Sequence, residues 1–300
     1  MSKVAVVTRT KNRKVLLRRA LESVLGQTFR DWTMVIVNDG GAPGDVEELV
    51  SRHRDRFAGR VQIVHHEKSL GMEAASNAGI RATQSDYLVI HDDDDSWHPD
   101  FLAECVAFLE KNAALPHLAG VVAHSLRIAE RIDGDRIIEV AREPFNTWVK
   151  AITLYRMAAC NMFPPISFVF RRSVIDEIGA YREDLPVLGD WEFNLRFVSK
   201  WEIGVIQRPL AYYHHRLSLK TGDYGNTVIA GDHLHKFYDA FLRNDLLRRD
   251  LQNNTLGLGL LVNVARSFED ILGQMGRASF FLYMKDKVYN FAQRARLFRS

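Results

Sequence analysis

Cysteine is scarce in this chain: Cys105 and Cys160 are the only two among 300 residues. Two cysteines in apolar surroundings exclude a disulfide framework and are typical of a protein from a reducing compartment. No stretch approaches the roughly 18–20 uninterrupted apolar residues that a transmembrane helix needs, and the first residues do not have the shape of a signal peptide. The net charge of +3 is too small to indicate a nucleic-acid partner. We therefore expect a globular protein located in the cytoplasm.

What the chain does contain is a run of four consecutive aspartates, Asp92 to Asp95. The apolar residues 87–90 before it predict a buried strand, and open α/β sheets bind their ligands at the carboxyl ends of strands. Four adjacent carboxylates repel one another unless water or a cation surrounds them. Hard divalent ions prefer oxygen ligands. We therefore interpret the run as a site for Mg2+ or Mn2+; the alternative is a solvated acidic loop.

Apolar runs and helical spacing alternate along the first third of the chain. The order is β-α-β-α-β, which predicts a parallel sheet with helices on both faces. The pattern then changes to antiparallel strands, so we predict one continuous mixed sheet and an α/β fold. The expected elements of this second half are a strand at 120–124, a β-hairpin at 127–142, a helix at 148–157, and strands at 166–170, 203–206 and 210–214.

From about Asn226 onwards the apolar spacing predicts helices, and the last of them, at 280–298, carries both aromatic and basic residues. We therefore predict a domain over residues 1–220 and a helical C-terminal extension over residues 221–300. The extension is expected to pack as a helical cap. Contact with an anionic membrane surface, or a homodimer contact, are the alternatives.

Five blocks of this sequence occur in the order that is typical of a known family. They are VAVVTRT at 4–10, VIVNDG at 35–40, Leu70-Gly71 followed by Asn77-Ala78-Gly79, the acidic run with WHPDFL at 97–102, and GDWE at 189–192. Over roughly residues 3–219 the chain resembles the inverting family 2 glycosyltransferases. The resemblance implies the GT-A fold, a nucleotide-diphospho-sugar donor (UDP-linked above all), and a glycan acceptor in bacterial surface-polysaccharide or lipopolysaccharide synthesis.

The resemblance also implies which residues bind the donor nucleotide. Thr8, Arg9 and Asp39 match positions that hold the base in the family, and the Asp39 carboxylate can accept the ring N–H of uracil. Gly71 and Asn77 match two further donor-binding positions.

One departure from the family pattern affects the diphosphate. Ser76 stands where many relatives carry arginine, so a phosphate contact is either lost or supplied by Arg81 or Arg216.

The acidic run matches the D-x-D motif of the family, which binds ribose and a divalent ion. The resemblance places Asp93 near the ribose and makes Asp94, together with Asp92, the metal-binding pair. Some members have a histidine near the metal after the last strand, which makes His214 and His215 further candidates. Neighbouring strand residues face opposite ways, so at most one of these two histidines points inward; the alternative is that neither binds a ligand.

Asp190 matches the catalytic-base position of the family. An inverting transfer needs one carboxylate to deprotonate the acceptor hydroxyl. Many members have glutamate before this aspartate, whereas this chain has Gly189, so Glu192 is a second candidate. From the local sequence alone, the N-cap of a helix is the favoured role of Asp190; the upstream blocks of the family pattern favour the base.

Two other functions were weighed against a glycosyltransferase. A sugar nucleotidyltransferase uses a similar sheet and metal, but it needs a glycine-rich loop after the first strand, and residues 8–13 contain no glycine. A non-catalytic glycan- or metal-binding module would leave Asp190 without a function. We therefore expect an enzyme.

Overall fold

The structure is a computed structural model that describes residues 2–216 and 232–276. Its strands are β1 (Ser2–Thr10), β2 (Trp32–Asp39), β3 (Val61–His66), β4 (Ser85–Ile90), β5 (Ser96–Trp97), β6 (Leu118–Asp133), β7 (Arg136–Pro144), β8 (Phe168–Arg171) and β9 (Glu202–Arg216). Its helices are α1 (Lys14–Leu25), α2 (Pro43–Arg52), α3 (Arg54–Phe57), α4 (Met72–Arg81), α5 (Phe101–Lys111), α6 (Leu154–Ala159), α7 (Val174–Ile178) and α8 (Gly189–Val198), followed by a helix at Asp232–Gln252 and another at 258–276. A short 3-10 helix, Pro165–Ser167, precedes β8.

All of the described strands belong to one mixed sheet in the order β3-β2-β1-β4-β8-β6-β9-β5, with β7 paired to β6. β1, β2, β3 and β4 are parallel to one another. β8 runs antiparallel to both β4 and β6. The parallel first half and the mixed second half confirm the predicted α/β fold. They also bring the carboxyl ends of β1, β2 and β4 to one edge.

Helices cover both faces of the parallel half, as the continuous apolar strands require. On one face, Leu17 and Leu21 of α1 pack with Ile36 and Val89 of the sheet. On the other face, α4 packs closely on the sheet: a side chain at Gly79 would place its Cβ 2.3 Å from Val7 Cγ1. The small residues of α4 therefore serve close helix–sheet packing.

The predicted helix at 148–157 is wrong in its position, because α6 begins only at Leu154. The carbonyl of Val149 lies 2.7 Å from His124 Nε2, so it is bound to β6 and does not start a helical ladder. The two predicted strands at 203–206 and 210–214 are one strand, β9, whose register against β6 shifts between His124 and its neighbours. The predicted hairpin is present as β6 and β7.

The described residues divide into two compact units, one made of residues 2–157, 161–216 and 232–242, the other of 158–160 and 243–276. The predicted domain boundary at residue 220 and the predicted helix at 280–298 lie outside the described residues and stay predictions. Within the described part of the chain, no helix combines the length and the apolarity that crossing a membrane requires. In the second unit, Phe268, Leu272 and Met275 are exposed.

Candidate active site

A cavity of about 400 Å³ opens at the edge where β1, β2 and β4 end. The parallel topology positions it, because the carboxyl ends of neighbouring parallel strands meet there. The loop before α4 and the residues before α8 both contribute to its lining. Its polar lining consists of Arg9, Thr10, Lys11, Arg13, Asp39, Ser69, Glu73, Asp92, Asp93, Asp94, Asp190, Tyr213, His214 and His235. The sheet thus brings the acidic run and the predicted base Asp190 into one cavity.

Arginines surround the acidic run. Arg9 Nε donates to Asp92 Oδ1 at 2.8 Å. Arg13 Nη1 lies 3.1 Å from Asp93 Oδ1 and 3.4 Å from Asp94 Oδ2. These guanidinium groups supply the positive charge that four adjacent carboxylates need.

Two further groups bind the same carboxylates from the sheet. Arg216 at the end of β9 forms an ion pair with Asp94 Oδ2, and the hydroxyl of Thr10 donates to Asp93 Oδ2 at 2.7 Å. The acidic run is therefore held by buried partners and is not a solvated loop.

The aspartates of the run differ in their protonation equilibria. Burial raises the pKa of Asp93 to about 6, against the opposing charge of Arg13. Burial would also raise the pKa of Asp94, but Arg216 and Arg13 outweigh it and hold that pKa at about 2. Asp95 points away from the cavity, accepts the His214 backbone N–H at 2.8 Å, and has a pKa well above the ordinary value because it is buried beside Asp94 and Asp92. Of these three aspartates, Asp94 is the one whose ionised form is stabilised.

A buried network behind the run is centred on Glu130 of β6, whose side chain is 1% exposed. Arg19 Nη1 lies 2.5 Å from Glu130 Oε2, His214 Nδ1 lies 2.7 Å from the same oxygen, and Arg216 Nη1 lies 3.4 Å from Oε1. Arg19 also donates to the backbone carbonyl of Asp94. Glu130 therefore anchors the arginines that hold Asp94.

The carboxylates of the acidic run are candidates for binding a divalent ion. Within residues 2–216 and 232–276, no group of three or more His, Cys, Asp or Glu side chains is arranged to hold a metal. Asp92 and Asp94, however, both line the cavity, and each bonds its arginines through a single oxygen, so the other oxygen has no hydrogen bond from the described residues. Magnesium is commonly bound by one or two carboxylates together with substrate phosphates. Asp92 and Asp94 fit that mode.

The two histidines are poorly placed as metal ligands. His214 reaches the cavity lining, but its Nδ1 is bonded to Glu130 and its Nε2 lies 2.8 Å from Ser96 Oγ. Burial lowers its pKa, which keeps the ring neutral. His215 is not part of the cavity lining, and its ring packs against Tyr213 at 4.3 Å. In this arrangement neither ring offers a nitrogen to a metal in the cavity, contrary to the prediction.

Asp39 organises the loop before α4, which lines the cavity. It accepts the backbone N–H groups of Leu70 at 2.8 Å and Gly71 at 3.0 Å, the hydroxyl of Ser69 at 2.6 Å, and a ring N–H of His66 at 2.8 Å. Burial alone would raise its pKa, but these hydrogen bonds lower it. The carboxylate thus already has four donors. It fixes the loop, in addition to any contact it makes with a base.

The other predicted donor-binding residues lie in different places. The side chain of Thr8 is fully buried and does not line the cavity. The amide of Asn77 binds the backbone of Tyr181, with Nδ2 2.8 Å from the carbonyl oxygen and Oδ1 3.0 Å from the nitrogen; it braces α4 and is also away from the cavity. Arg9 and Gly71 do line it. Gly71 has φ +100° and ψ 163°, a conformation open essentially to glycine alone.

Arg9 fills the position that the family pattern left open at Ser76. Its Nη1 lies 2.9 Å from Ser76 Oγ and 3.4 Å from Glu73 Oε2. The two residues proposed from the sequence for this phosphate contact, Arg81 and Arg216, do not line the cavity. The cation beside Ser76 therefore comes from β1.

Asp190 lies in the first turn of α8 and faces the cavity. Asn161 Nδ2 donates to its Oδ2 at 2.7 Å. Burial raises the pKa of Asp190, and the backbone N–H of Trp191 and the Asn161 amide oppose this only in part. The result is an oriented carboxylate with increased basicity. Glu192 instead is held by Arg196 through bonds of 2.8 and 2.7 Å and does not line the cavity, so the structure does not support it as a second base.

Glu73 is a cavity residue that the sequence did not single out. It lies in the first turn of α4, is 4% exposed, and faces the cavity. The only available signal was an acidic residue in a helix otherwise made of small side chains. That signal is weak, because acidic residues are common in first turns for electrostatic reasons.

The chain is similar to a known family and to several known proteins. A family model described as "Glycosyl transferase family 2" matches residues 5–179. "Uncharacterized glycosyltransferase YwdF" of Bacillus subtilis is 27% identical over 201 residues, which are 67% of this chain and 70% of YwdF.

Two solved structures resemble the chain at lower identity. Crystalline S. aureus TarS 1-349 in complex with UDP-GlcNAc is 17% identical, with a TM-score of 0.55, over 72% of this chain and only 60% of the TarS chain. The mannosyltransferase PcManGT from Pyrobaculum calidifontis, in complex with GDP-Man and Mn2+, is 16% identical, with a TM-score of 0.58, over 88% of this chain and 69% of its own. At these identities the two structures show a common fold.

Proposed function

Because the chain belongs to glycosyl transferase family 2 and has the GT-A fold, we propose that it transfers a sugar, with inversion, from a nucleotide-diphospho-sugar to a glycan hydroxyl. The observation that carries this proposal is the presence of Asp190 and the acidic run in one cavity. A carboxylate of raised pKa can act as the base on an acceptor hydroxyl. The arginines beside the run, and a divalent ion bound by its carboxylates, would compensate the negative charge of a leaving diphosphate.

The nucleotide of the donor lies, in this proposal, at the end of the cavity formed by Asp39 and the loop from Ser69 to Gly71. The hydrogen bonds of Asp39 hold the backbone of this loop in place. Arg9 and Arg13 line the adjoining part of the cavity and provide charge for the diphosphate. The UDP-GlcNAc bound in the TarS structure supports a UDP-sugar donor. The GDP-Man bound in the PcManGT structure makes GDP-sugars the alternative donors to be tested.

A divalent ion, Mn2+ or Mg2+, fits the free oxygens of Asp92 and Asp94, and the Mn2+ in PcManGT supports this assignment. Bound there, it would supply Lewis-acid stabilisation of the diphosphate. Arg216 and Arg13 keep Asp94 ionised, which is the state that a metal ligand requires. Asp93 is proposed to bind the ribose, because its carboxylate faces the same cavity between Thr10 and Arg13.

Asp190 is proposed to take the proton of the acceptor hydroxyl as that oxygen attacks the anomeric carbon. Asn161 fixes one carboxylate oxygen at 2.7 Å and so orients the other. The acceptor is proposed to be a surface glycan under assembly, such as a lipopolysaccharide or capsule intermediate, at the cytoplasmic face of a membrane. This last assignment rests on family analogy.

The proposal is tested by the variant Asp190→Asn in a transfer assay with UDP-GlcNAc, UDP-glucose and GDP-mannose. Loss of the base should lower the transfer rate by about 10²- to 10⁴-fold and leave nucleotide affinity within about twofold. The matched control is Asp86→Asn, whose side chain is 53% exposed on the same sheet and pairs with Lys3. An Asp190→Asn variant with the wild-type transfer rate would refute the assignment of the base.

The metal is tested separately by thermal shift with each nucleotide and nucleotide sugar, with and without Mn2+. A ligand that binds the native state raises the melting temperature by mass action. We expect the manganese-dependent shift to disappear in Asp92→Asn and Asp94→Asn. If the shift is independent of Mn2+ in the wild type, the metal assignment fails while that of Asp190 stands.

A further inference from the structure

Among the described residues that line the cavity, Glu73 is the acidic residue that the proposed reaction does not use. Its carboxylate makes a single polar contact with the described residues, in which Arg9 Nη1 lies 3.4 Å from Oε2. Oε1 accepts no hydrogen bond from the described part of the chain. A nearly buried carboxylate with a free oxygen is costly unless a donor satisfies it, so a ligand that brings a hydroxyl to Oε1 would be stabilised there.

The room for this carboxylate exists because residue 189 has no side chain. A Cβ built on Gly189 would lie 2.4 Å from Glu73 Oε1 and 2.5 Å from its Cδ. The backbone at Gly189 is helical and does not have a positive φ, so nothing in its conformation requires glycine. The glycine is needed for space, and that space is filled by Glu73 from α4.

The position of Glu73 within the cavity indicates what it would bind. Arg9 connects it to Asp92, since the same guanidinium lies 2.8 Å from Asp92 Oδ1. On the other side, Gly189 directly precedes Asp190. Glu73 therefore lies between the residues assigned to the diphosphate and the residue assigned to the acceptor hydroxyl. In a glycosyl transfer the donor sugar occupies the place between these two groups.

We propose that Glu73 binds a hydroxyl group of the donor sugar through Oε1 and thereby helps to select which sugar is transferred. This inference rests on the proposed function and adds a sugar-recognising residue to it. A site built to hydrogen-bond a substrate hydroxyl discriminates strongly against analogues that lack it, because the buried polar group is then left unpaired. Burial raises the pKa of Glu73 to about 7, with Arg9 opposing and Asp190 and Asp92 adding to the rise, so near neutral pH the group can either accept from or donate to a hydroxyl.

The test compares the affinity for a nucleotide with the affinity for its sugar conjugate by titration calorimetry. UDP and GDP are measured against UDP-GlcNAc, UDP-glucose and GDP-mannose, all with Mn2+. For the sugar that the wild type prefers, Glu73→Ala and Glu73→Gln should reduce affinity for the conjugate by roughly 10- to 100-fold. Affinity for the free nucleotide should stay within about twofold.

Gly189→Ala is the second variant, because its Cβ would displace the Glu73 carboxylate while leaving that residue in the chain. It should reproduce the loss of sugar affinity. Gly44→Ala is the matched control, since Gly44 also lies in a first helical turn but has nothing within 4 Å of its Cβ position; it should have no effect. Far-UV circular dichroism and the melting temperature confirm that each variant is folded.

The outcomes distinguish a failure of the proposed function from a failure of the role proposed for Glu73. If the wild type binds none of these nucleotides or conjugates, the proposed function fails and the role of Glu73 fails with it. If the wild type binds a conjugate and the Glu73 variants keep the full preference for it, only the role of Glu73 is refuted. An equal loss of nucleotide and conjugate affinity also refutes it, since a sugar contact cannot weaken binding of a ligand without sugar.

Discussion

Replacing Glu130 with glutamine should lower the free energy of unfolding by about 3 kcal/mol at neutral pH. Glu130 is a buried anion that pairs with Arg19, His214 and Arg216. The amide of glutamine has nearly the same shape but no charge, so two buried guanidinium groups lose a shared counter-ion. Arg216 would keep its ion pair with Asp94 but lose the one with Glu130.

The magnitude follows from the pKa of Glu130. Burial alone would raise it, but hydrogen bonds from His214 and Arg19 and the charge of Arg19 lower it from 4.5 to about 2. A depression of this size corresponds to about 3 kcal/mol of stability. Because the folded-state pKa is the lower one, this contribution is fully present above about pH 4.5 and is lost as the pH falls towards 2.

Urea denaturation at pH 7 and at several lower pH values measures the effect. The control is Glu139→Gln in the neighbouring strand, where the exposed pair with Arg142 should contribute no more than about 0.5 kcal/mol. The difference between wild type and Glu130→Gln should shrink below about pH 4. A loss under about 1 kcal/mol at pH 7, or an equal loss in the control, would show that Glu130 does not anchor the network.

Three further predictions follow from the same geometry. Asn161→Ala removes a hydrogen bond that favours the ionised form of Asp190, so the pKa of Asp190 should rise. The acidic limb of the pH profile of kcat/KM should then move to higher pH, and an unchanged profile would contradict the assignment of Asp190 as the base. Glu192→Gln should lower the free energy of unfolding by about 1–2 kcal/mol, because Arg196 loses its carboxylate partner, while the transfer rate of the folded variant should stay within about threefold of the wild type. A loss of rate as large as that of Asp190→Asn would restore Glu192 as a candidate base. Gly71→Ala should lower the free energy of unfolding by about 1–3 kcal/mol, since only glycine tolerates the backbone conformation at this position, and calorimetry should show weaker binding of UDP. Wild-type affinity for UDP would exclude a role of the loop from Ser69 to Gly71 in nucleotide binding.

The position of the acidic run was predictable from the sequence, but its binding partners were not. An apolar strand followed by four aspartates predicted a charged site at a sheet edge, and the cavity lies there. The sequence did not predict that the run is held by Arg9, Arg13 and Arg216. These arginines lie in β1, in the loop after it and in β9, each at least 80 residues from the aspartate that it binds. Pairings of this kind depend on strand order and register, and local patterns contain no information on them.

The histidines show the same limit. Alternation along β9 predicts that His214 and His215 face opposite ways, and of the two only His214 lines the cavity. Whether His214 could bind a metal depended on Glu130 and Ser96, which occupy both of its ring nitrogens. Both partners are more than 80 residues distant in the sequence.

The amino-acid sequence by itself determined the parallel first half of the sheet, the place of the acidic run at the end of β4, and a helix that begins close to Asp190; α8 begins one residue earlier, at Gly189. Each of these follows from hydrophobic periodicity and short-range patterns, which act over a few residues. Only the tertiary structure decided that Glu73 of α4 occupies the space left by Gly189, and that Asn161 orients Asp190. These contacts join side chains more than 25 residues apart, so they come into existence only when the sheet has brought its helices together.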